Sequence, residues 1–130
     1  MALTKNQRQQ VWDKSNGFCW YCGCNLPEKG WHVDHVEPIG RYKNIKITEN
    51  GVKHINTCEK LHLDTIENMV PTCSKCNLFK AAWNIEQFRS ELIDQVERAR
   101  QYSVNFRNAE RYGLIQVTNK PVIFWFEQNR

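Results

Sequence analysis

The stretch Glu67-Asn68-Met69-Val70-Pro71-Thr72-Cys73-Ser74-Lys75-Cys76-Asn77-Leu78-Phe79-Lys80 sets the terms for the rest of the chain. Met69-Val70 reads as a short strand that Pro71 ends, and a helix beginning near Cys73 carries Cys76, Asn77 and Lys80 on its first turns. Each part of the stretch needs a distant partner. Two thiols are half of a tetrahedral metal site, and Cys19 and Cys22 repeat the same Cys-x-x-Cys spacing far upstream. Asn77 offers a side-chain oxygen and looks for an acid and a base, and the dyad Asp34-His35 holds both.

Working outward, 130 residues that are 41% hydrophobic and 25% charged fit one compact domain, residues 1–130, with a modest core. Residues 1–7 lack the apolar run of a signal peptide, and no stretch approaches the roughly 18 apolar residues of a membrane span. A cytoplasmic protein without membrane contact is therefore expected. In that setting the six cysteines read as metal ligands rather than disulfides, with Cys24 and Cys58 left over.

The net charge of +4 is concentrated locally: Arg41, Lys43, Lys46, Lys53 and Lys60 stand against only Glu49 and Glu59. Such a run suits a phosphate backbone, and it equally suits a solvated lysine-rich loop.

In chain order, the sequence predicts a helix from about Lys5 to Lys14 with Thr4 as N-cap and Gln7 as its capping-box partner. Asn16-Gly17 turns the chain into the knuckle Phe18-Cys19-Trp20-Tyr21-Cys22-Gly23-Cys24. Residues 31–36 alternate like a half-buried strand, which puts Val33 and His35 on one face and His32 and Asp34 on the other. Between residues 41 and 63 the pattern is weak: 45–48 is a short strand, 49–51 a turn, and the remainder a polar excursion. A long helix over 85–101 presents Ile85, Phe88, Leu92, Val96 and Ala99 as one apolar stripe. A short helix over 106–112 follows, and the tail reads as a hairpin of 114–118 with 121–126.

The four cysteines at 19, 22, 73 and 76 suit a structural zinc ion that closes a long loop and braces a small domain. A redox dithiol or plain buried cysteines are the alternatives, and Cys24 could replace Cys22 as a ligand. For the other cluster, histidine is the natural base near neutral pH. One Asp carboxylate and one Asn carbonyl favour a hard ion such as magnesium or manganese. Together these residue types supply what phosphodiester hydrolysis needs.

Asp34-His35, Asn68 before Met-Val-Pro, and Cys-x-x-Cys-Asn followed by Lys80 resemble the HNH endonucleases, in particular small zinc-binding members from phages or restriction systems. The resemblance covers about residues 18–88. It implies an α+β fold with a ββα-metal core, a four-cysteine zinc site, flanking helices and the C-terminal β-hairpin. It also implies DNA as the partner, His35 as general base, Asp34 and Asn77 as ligands of Mg2+ or Mn2+, and Asn68 as the residue orienting the loop that holds His35. Two features depart from the pattern: the connection over residues 36–67 is long, and the third motif position is Asn77 rather than histidine.

Lys80, Arg41 and Lys75 are candidate phosphate contacts, with a surface lysine as the plain alternative for Lys80. His32 faces either the metal or solvent, His54 and His62 read as solvated, and Trp20, Trp31, Trp83 and Trp125 either stack on bases or fill the core. A homodimer is one route to cutting both strands, though no residue requires it. The alternatives to a nuclease are a non-catalytic zinc-ribbon protein that binds nucleic acid, and a structural protein that docks through its long helix or terminal hairpin.

Overall fold

The computed structural model describes residues 2–129, and within 42–46 and 54–57 the main chain alone. It is a mixed structure of helices and two small antiparallel sheets. The chain forms two compact units, Met1–Asn84 with Phe124–Arg130, and Ile85–Ile123.

The first unit opens with α1 (Lys5–Asp13). Its start is the capping box read from sequence: Gln7 N donates to Thr4 Oγ1 at 3.1 Å and Thr4 N to Gln7 Oε1 at 3.0 Å. Val11 is fully buried. Asn16 and Gly17 then take positive φ and release the chain into the knuckle. There the Cys19 amide donates to the Cys24 carbonyl at 2.8 Å and the Gly23 amide to the Cys19 carbonyl at 3.0 Å. A Cβ on Gly23 would lie 2.7 Å from Trp125 Cδ1, so only glycine fits that turn.

Strands β1 (His32–His35), β2 (Arg41–Thr48), β3 (Gly51–Cys58) and β4 (Met69–Thr72) follow. β1 pairs with β4, His32 opposite Thr72 and His35 opposite Met69. α2 (Ser74–Lys80) leaves β4 directly, with Cys73 as its N-cap. Every residue of β4 is buried. The expectation that Pro71 ends this strand is corrected, since β4 runs through it to Thr72. The Pro71 carbonyl accepts from the Trp20 amide at 2.9 Å. In an antiparallel strand a residue's N and C=O lie on the same edge, so the missing N–H of Pro71 faces away from β1 and breaks no ladder bond.

Residues 41–58 correct a second expectation. The short strand expected at 45–48 and the turn after it stand, but they belong to one regular hairpin, β2–β3, from the pair Arg41–Cys58 to the pair Thr48–Gly51, and the remainder is not a polar excursion. Neither face of this ribbon is uniformly apolar in sequence, which is why alternation did not reveal it. At its tip Ile47 is 84% and Val52 61% exposed. The side chains of Lys43, Lys46 and His54, to which sequence assigns phosphate contact or solvation, lie outside the described residues.

The tail corrects a third. No strand forms among residues 114–124, and α6 (Trp125–Gln128) closes the first unit. The Trp125 and Phe126 amides donate to the carbonyls of Tyr21 and Trp20, at 2.9 and 3.1 Å. Phe126 stacks on Trp20 with centroids 5.5 Å apart, and the Phe124 amide donates to Glu127 Oε1 at 2.9 Å. The aromatic residues that alternate like a strand are therefore engaged by the knuckle instead.

In the second unit the expected single helix divides into α3 (Ile85–Ile93) and α4 (Gln95–Tyr102), parted at Asp94 with ψ near zero. Of the predicted apolar stripe only Phe88 is buried. α5 (Val104–Arg111) is capped by Ser103, whose Oγ accepts from Phe106 N at 3.1 Å. Arg100 reaches Glu110 in a two-pronged ion pair at 2.9 and 2.7 Å, tying α4 to α5.

Candidate functional site

α2 carries two kinds of chemistry in consecutive residues. Cys73 at its N-cap and Cys76 in its first turn meet Cys19 and Cys22 of the knuckle, with all four Sγ atoms within 4.8 Å of one another. The Cys22 and Cys73 sulfurs are 3.8 Å apart. A tetrahedral ion with metal–sulfur bonds of about 2.3 Å sets its sulfurs about 3.8 Å apart. Backbone amides help: Cys73 N donates to Cys19 Sγ and Cys76 N to Cys73 Sγ, each at 3.4 Å.

Hydrogen bonds within the cluster shift its thiols unequally. Cys19 is held down at about 4, first by a hydrogen bond from the Cys76 thiol, then by the amides of Cys73, Cys22 and Tyr21, against the opposing effect of burial. Its neighbour Cys76 is pushed up, first by that same bond and then by burial. Four thiols gathered this closely form a donor set that suits a zinc ion. Cys24 is exposed and stands beside Cys22 and Cys73, pushed up to about 12 by burial and then by Cys22.

The second cluster lies where β1 ends. A cleft of ≈ 410 Å³ opens there, lined by His32, Asp34, His35, Arg41 and Asn77 among its polar residues. Asn77 comes from α2, half-buried, one residue beyond Cys76. The half-buried pattern expected along β1 gives way at its end: Asp34 and His35 are both buried. Each finds separate cover. Asp34 Oδ2 accepts from the Tyr21 hydroxyl at 2.6 Å and meets Lys80 Nζ at 3.0 Å. Burial, and then the Asp34 charge, push the Tyr21 phenol far up, so it stays a donor.

His35 Nε2 lies 2.8 Å from Asp64 Oδ1, and its Nδ1 lies 3.5 Å from the guanidinium of Arg41. The hydrogen bond with His35 holds the Asp64 carboxyl below its usual value, with burial opposing and Arg41 adding to the effect.

Asn68 straps the flanking loops together. Its Oδ1 accepts from Glu37 N at 2.9 Å, and its Nδ2 donates to the carbonyls of Glu37 and Leu63 at 2.8 and 2.9 Å. The Val36 amide also donates to the Asn68 carbonyl at 2.9 Å.

The placement of Lys80 differs from a phosphate contact. It is 0% exposed, with Nζ held by Asp34 and by the His35 carbonyl at 3.0 Å, so it works inside the domain. Lys75 is exposed on α2, and Arg41 is exposed at the cleft. His32 is exposed and lines the cleft, while His62 is exposed elsewhere. Trp31 is buried against Trp12, Trp20 and Trp125 join the aromatic cluster of the knuckle, and Trp83 packs edge-on against Phe79. Sequence reasoning missed Tyr21 and Asp64 as site residues. Neither sits at a spacing that marks it.

No family model matches the chain, and no curated protein matches it. Among solved structures it is similar to the crystal structure of the Type II-C Cas9 enzyme from Actinomyces naeslundii, at 15% identity and a TM-score of 0.47. The alignment covers 85% of this chain and 11% of that one. Among the described residues, no helix is long and apolar enough to cross a membrane.

Proposed function

We propose that the cleft at the end of β1 hydrolyses DNA phosphodiester bonds, as a metal-dependent endonuclease of the HNH type with β1, β4 and α2 as its ββα-metal core. The observation that carries this reading is the convergence of Asp34, His35 and Asn77 on one cleft, with Arg41 at its rim. Among the described residues, both polar side-chain contacts of Asp34 fall on Oδ2, which leaves Oδ1, with the side-chain oxygen of Asn77, as a hard-oxygen donor pair for Mg2+ or Mn2+. Bound there, a divalent ion supplies Lewis acidity to the phosphate and its leaving oxygen.

The chain's own residues do the rest. His35 Nδ1 takes a proton from water as the water oxygen attacks phosphorus. The bond to the 3′ oxygen breaks, that oxygen takes a proton from solvent, and a 5′ phosphate and a 3′ hydroxyl result. Arg41 and Lys75 offer positive charge to the backbone, and Asn68 holds the loop that follows His35. Zinc at Cys19, Cys22, Cys73 and Cys76 fixes α2 against the knuckle.

One observation favours a second reading, a zinc-stapled module that binds nucleic acid without cutting it. The Lys80 ammonium already neutralises Asp34. Incubating the protein with supercoiled plasmid, with and without Mg2+ or Mn2+, separates the two. Metal-dependent nicking that falls roughly 10²–10⁴-fold in folded His35→Ala is the expected result. Plasmid retarded in gels but uncut across several divalent ions would establish the binding module instead.

A further inference from the structure

Asp64 belongs to no motif, yet its side chain and that of His35 are each 8% exposed and 2.8 Å apart. It reaches that position from a tight turn, Leu61–Leu63, which the Asp64 amide closes onto the Leu61 carbonyl at 3.0 Å. The same Asn68 side chain bonds Leu63 on the Asp64 side and Glu37 on the His35 side. The separation of the two loops is thereby fixed by one residue. From below, Lys80 holds the His35 carbonyl. The imidazole is therefore pinned at its backbone and at one ring nitrogen.

The identity of its neighbours selects a tautomer. An ionised carboxylate can only accept, so Nε2, facing Asp64, carries the proton. A guanidinium can only donate, so Nδ1, facing Arg41, presents its lone pair. Both contacts demand the same form, and in it the basic nitrogen lies on the side of Arg41, which lines the cleft.

We infer that Asp64 is a positioning residue for His35, fixing the tautomer in which Nδ1 faces the cleft and holding the imidazolium that forms when Nδ1 takes a proton. The inference rests on the nuclease reading for its catalytic consequence, but its geometric part stands apart from it. A carboxylate behind a histidine base steadies both the ring orientation and the positive charge that develops on it. Asn68 then acts on the dyad as a whole, since it clamps both loops from which the two side chains extend.

The test compares wild type with Asp64→Asn, Asp64→Ala and Asp64→Glu in plasmid cleavage and in 15N-resolved proton spectra, with His35 assigned by loss of its signals in His35→Ala. Wild type is expected to show a downfield Nε2–H proton of His35 that exchanges slowly with water, and an unprotonated Nδ1. Asp64→Asn and Asp64→Ala are expected to lose that slow proton and to lower kcat by roughly 10²-fold or more, with KM within about twofold. Asp64→Glu recovers part of both. Should Asp64→Ala fail to fold, the near-isosteric Asp64→Asn carries both measurements. A proton on Nδ1 in wild type, a slow proton that survives in Asp64→Asn, or a variant cutting at the wild-type rate while His35→Ala is dead would each overturn the inference. Wild type that cuts nothing defeats the nuclease reading alone, and the fate of the Nε2–H proton in Asp64→Asn still decides whether Asp64 positions His35.

Discussion

The thiol cluster and the cleft share a helix, and they hold their parts together by opposite means. Cys73 and Cys76 need only two sulfurs from one knuckle, and local turns bring each pair to a common centre. The cleft draws Asp34 and His35 from β1, Asn77 from α2, Arg41 from β2 and Asp64 from a turn, and orders them through a buried ion pair. Four like ligands around one ion form a site that is whole or absent. A network of hydrogen bonds and charges degrades one member at a time, in steps set by burial.

The largest effect tests the first half of that contrast. Cys73→Ser removes one thiol of four and the sulfur that accepts from Cys76 N. A structural zinc site contributes folding energy outright, about 10–16 kcal/mol of apparent binding in small zinc peptides, so its loss is comparable to the whole stability of an ordinary small domain. The expected outcome is loss of bound zinc together with cooperative unfolding, and chelator treatment of wild type should produce the same circular-dichroism change. Stoichiometric zinc retained in a folded Cys73→Ser protein would break the comparison, and would point to Cys24, which stands beside Cys22 and Cys73, as the replacement ligand.

Lys80→Met tests the second half and should produce a smaller loss. The stem of Lys80 is buried and methionine fills much of its volume, so the main change is an Asp34 carboxylate left without its cation. Breaking a buried pair by removing one partner costs about 3–5 kcal/mol. The midpoint of urea unfolding should fall accordingly while zinc stays bound. If stability hardly changes, the ammonium was not ordering the cleft.

These differences also mark what could be read from sequence. Two Cys-x-x-Cys pairs announce a four-thiol centre because each bend is local, and the structure gathers those four sulfurs. Strands β1 and β4 were legible through their apolar residues and the helix after β4 through its cysteines. Asp64 and Tyr21 were not, since a carboxylate from one turn and a phenol from another meet the dyad only after the chain has folded. Lys80 misled for a related reason: a lysine late in a short helix reads as exposed, and nothing local reveals that Asp34 lies within reach to compensate its burial. The tail misled through composition, because alternating aromatics fit a strand and fit a knuckle's aromatic cluster equally well.

The smallest effect concerns the residue that joins the two regions. Tyr21 lies between Cys19 and Cys22 in the knuckle, yet its hydroxyl donates to Asp34 Oδ2, the same oxygen that faces Lys80. Tyr21→Phe keeps the ring, which packs edge-on against Phe124 and Phe126, and deletes only a hydrogen bond to a charged acceptor. Such a bond contributes about 1.5–3 kcal/mol. Because both donors serve one oxygen, the two substitutions should not add: with Lys80 already gone, Asp34 leans harder on the phenol. The double variant, Tyr21→Phe with Lys80→Met, should therefore lose more than the sum of the singles, by about 0.5–3 kcal/mol in a double-mutant cycle of unfolding free energies. Strict additivity would mean that the knuckle supports the cleft only by packing, and that the thiol cluster and the carboxylate are coupled through α2 alone.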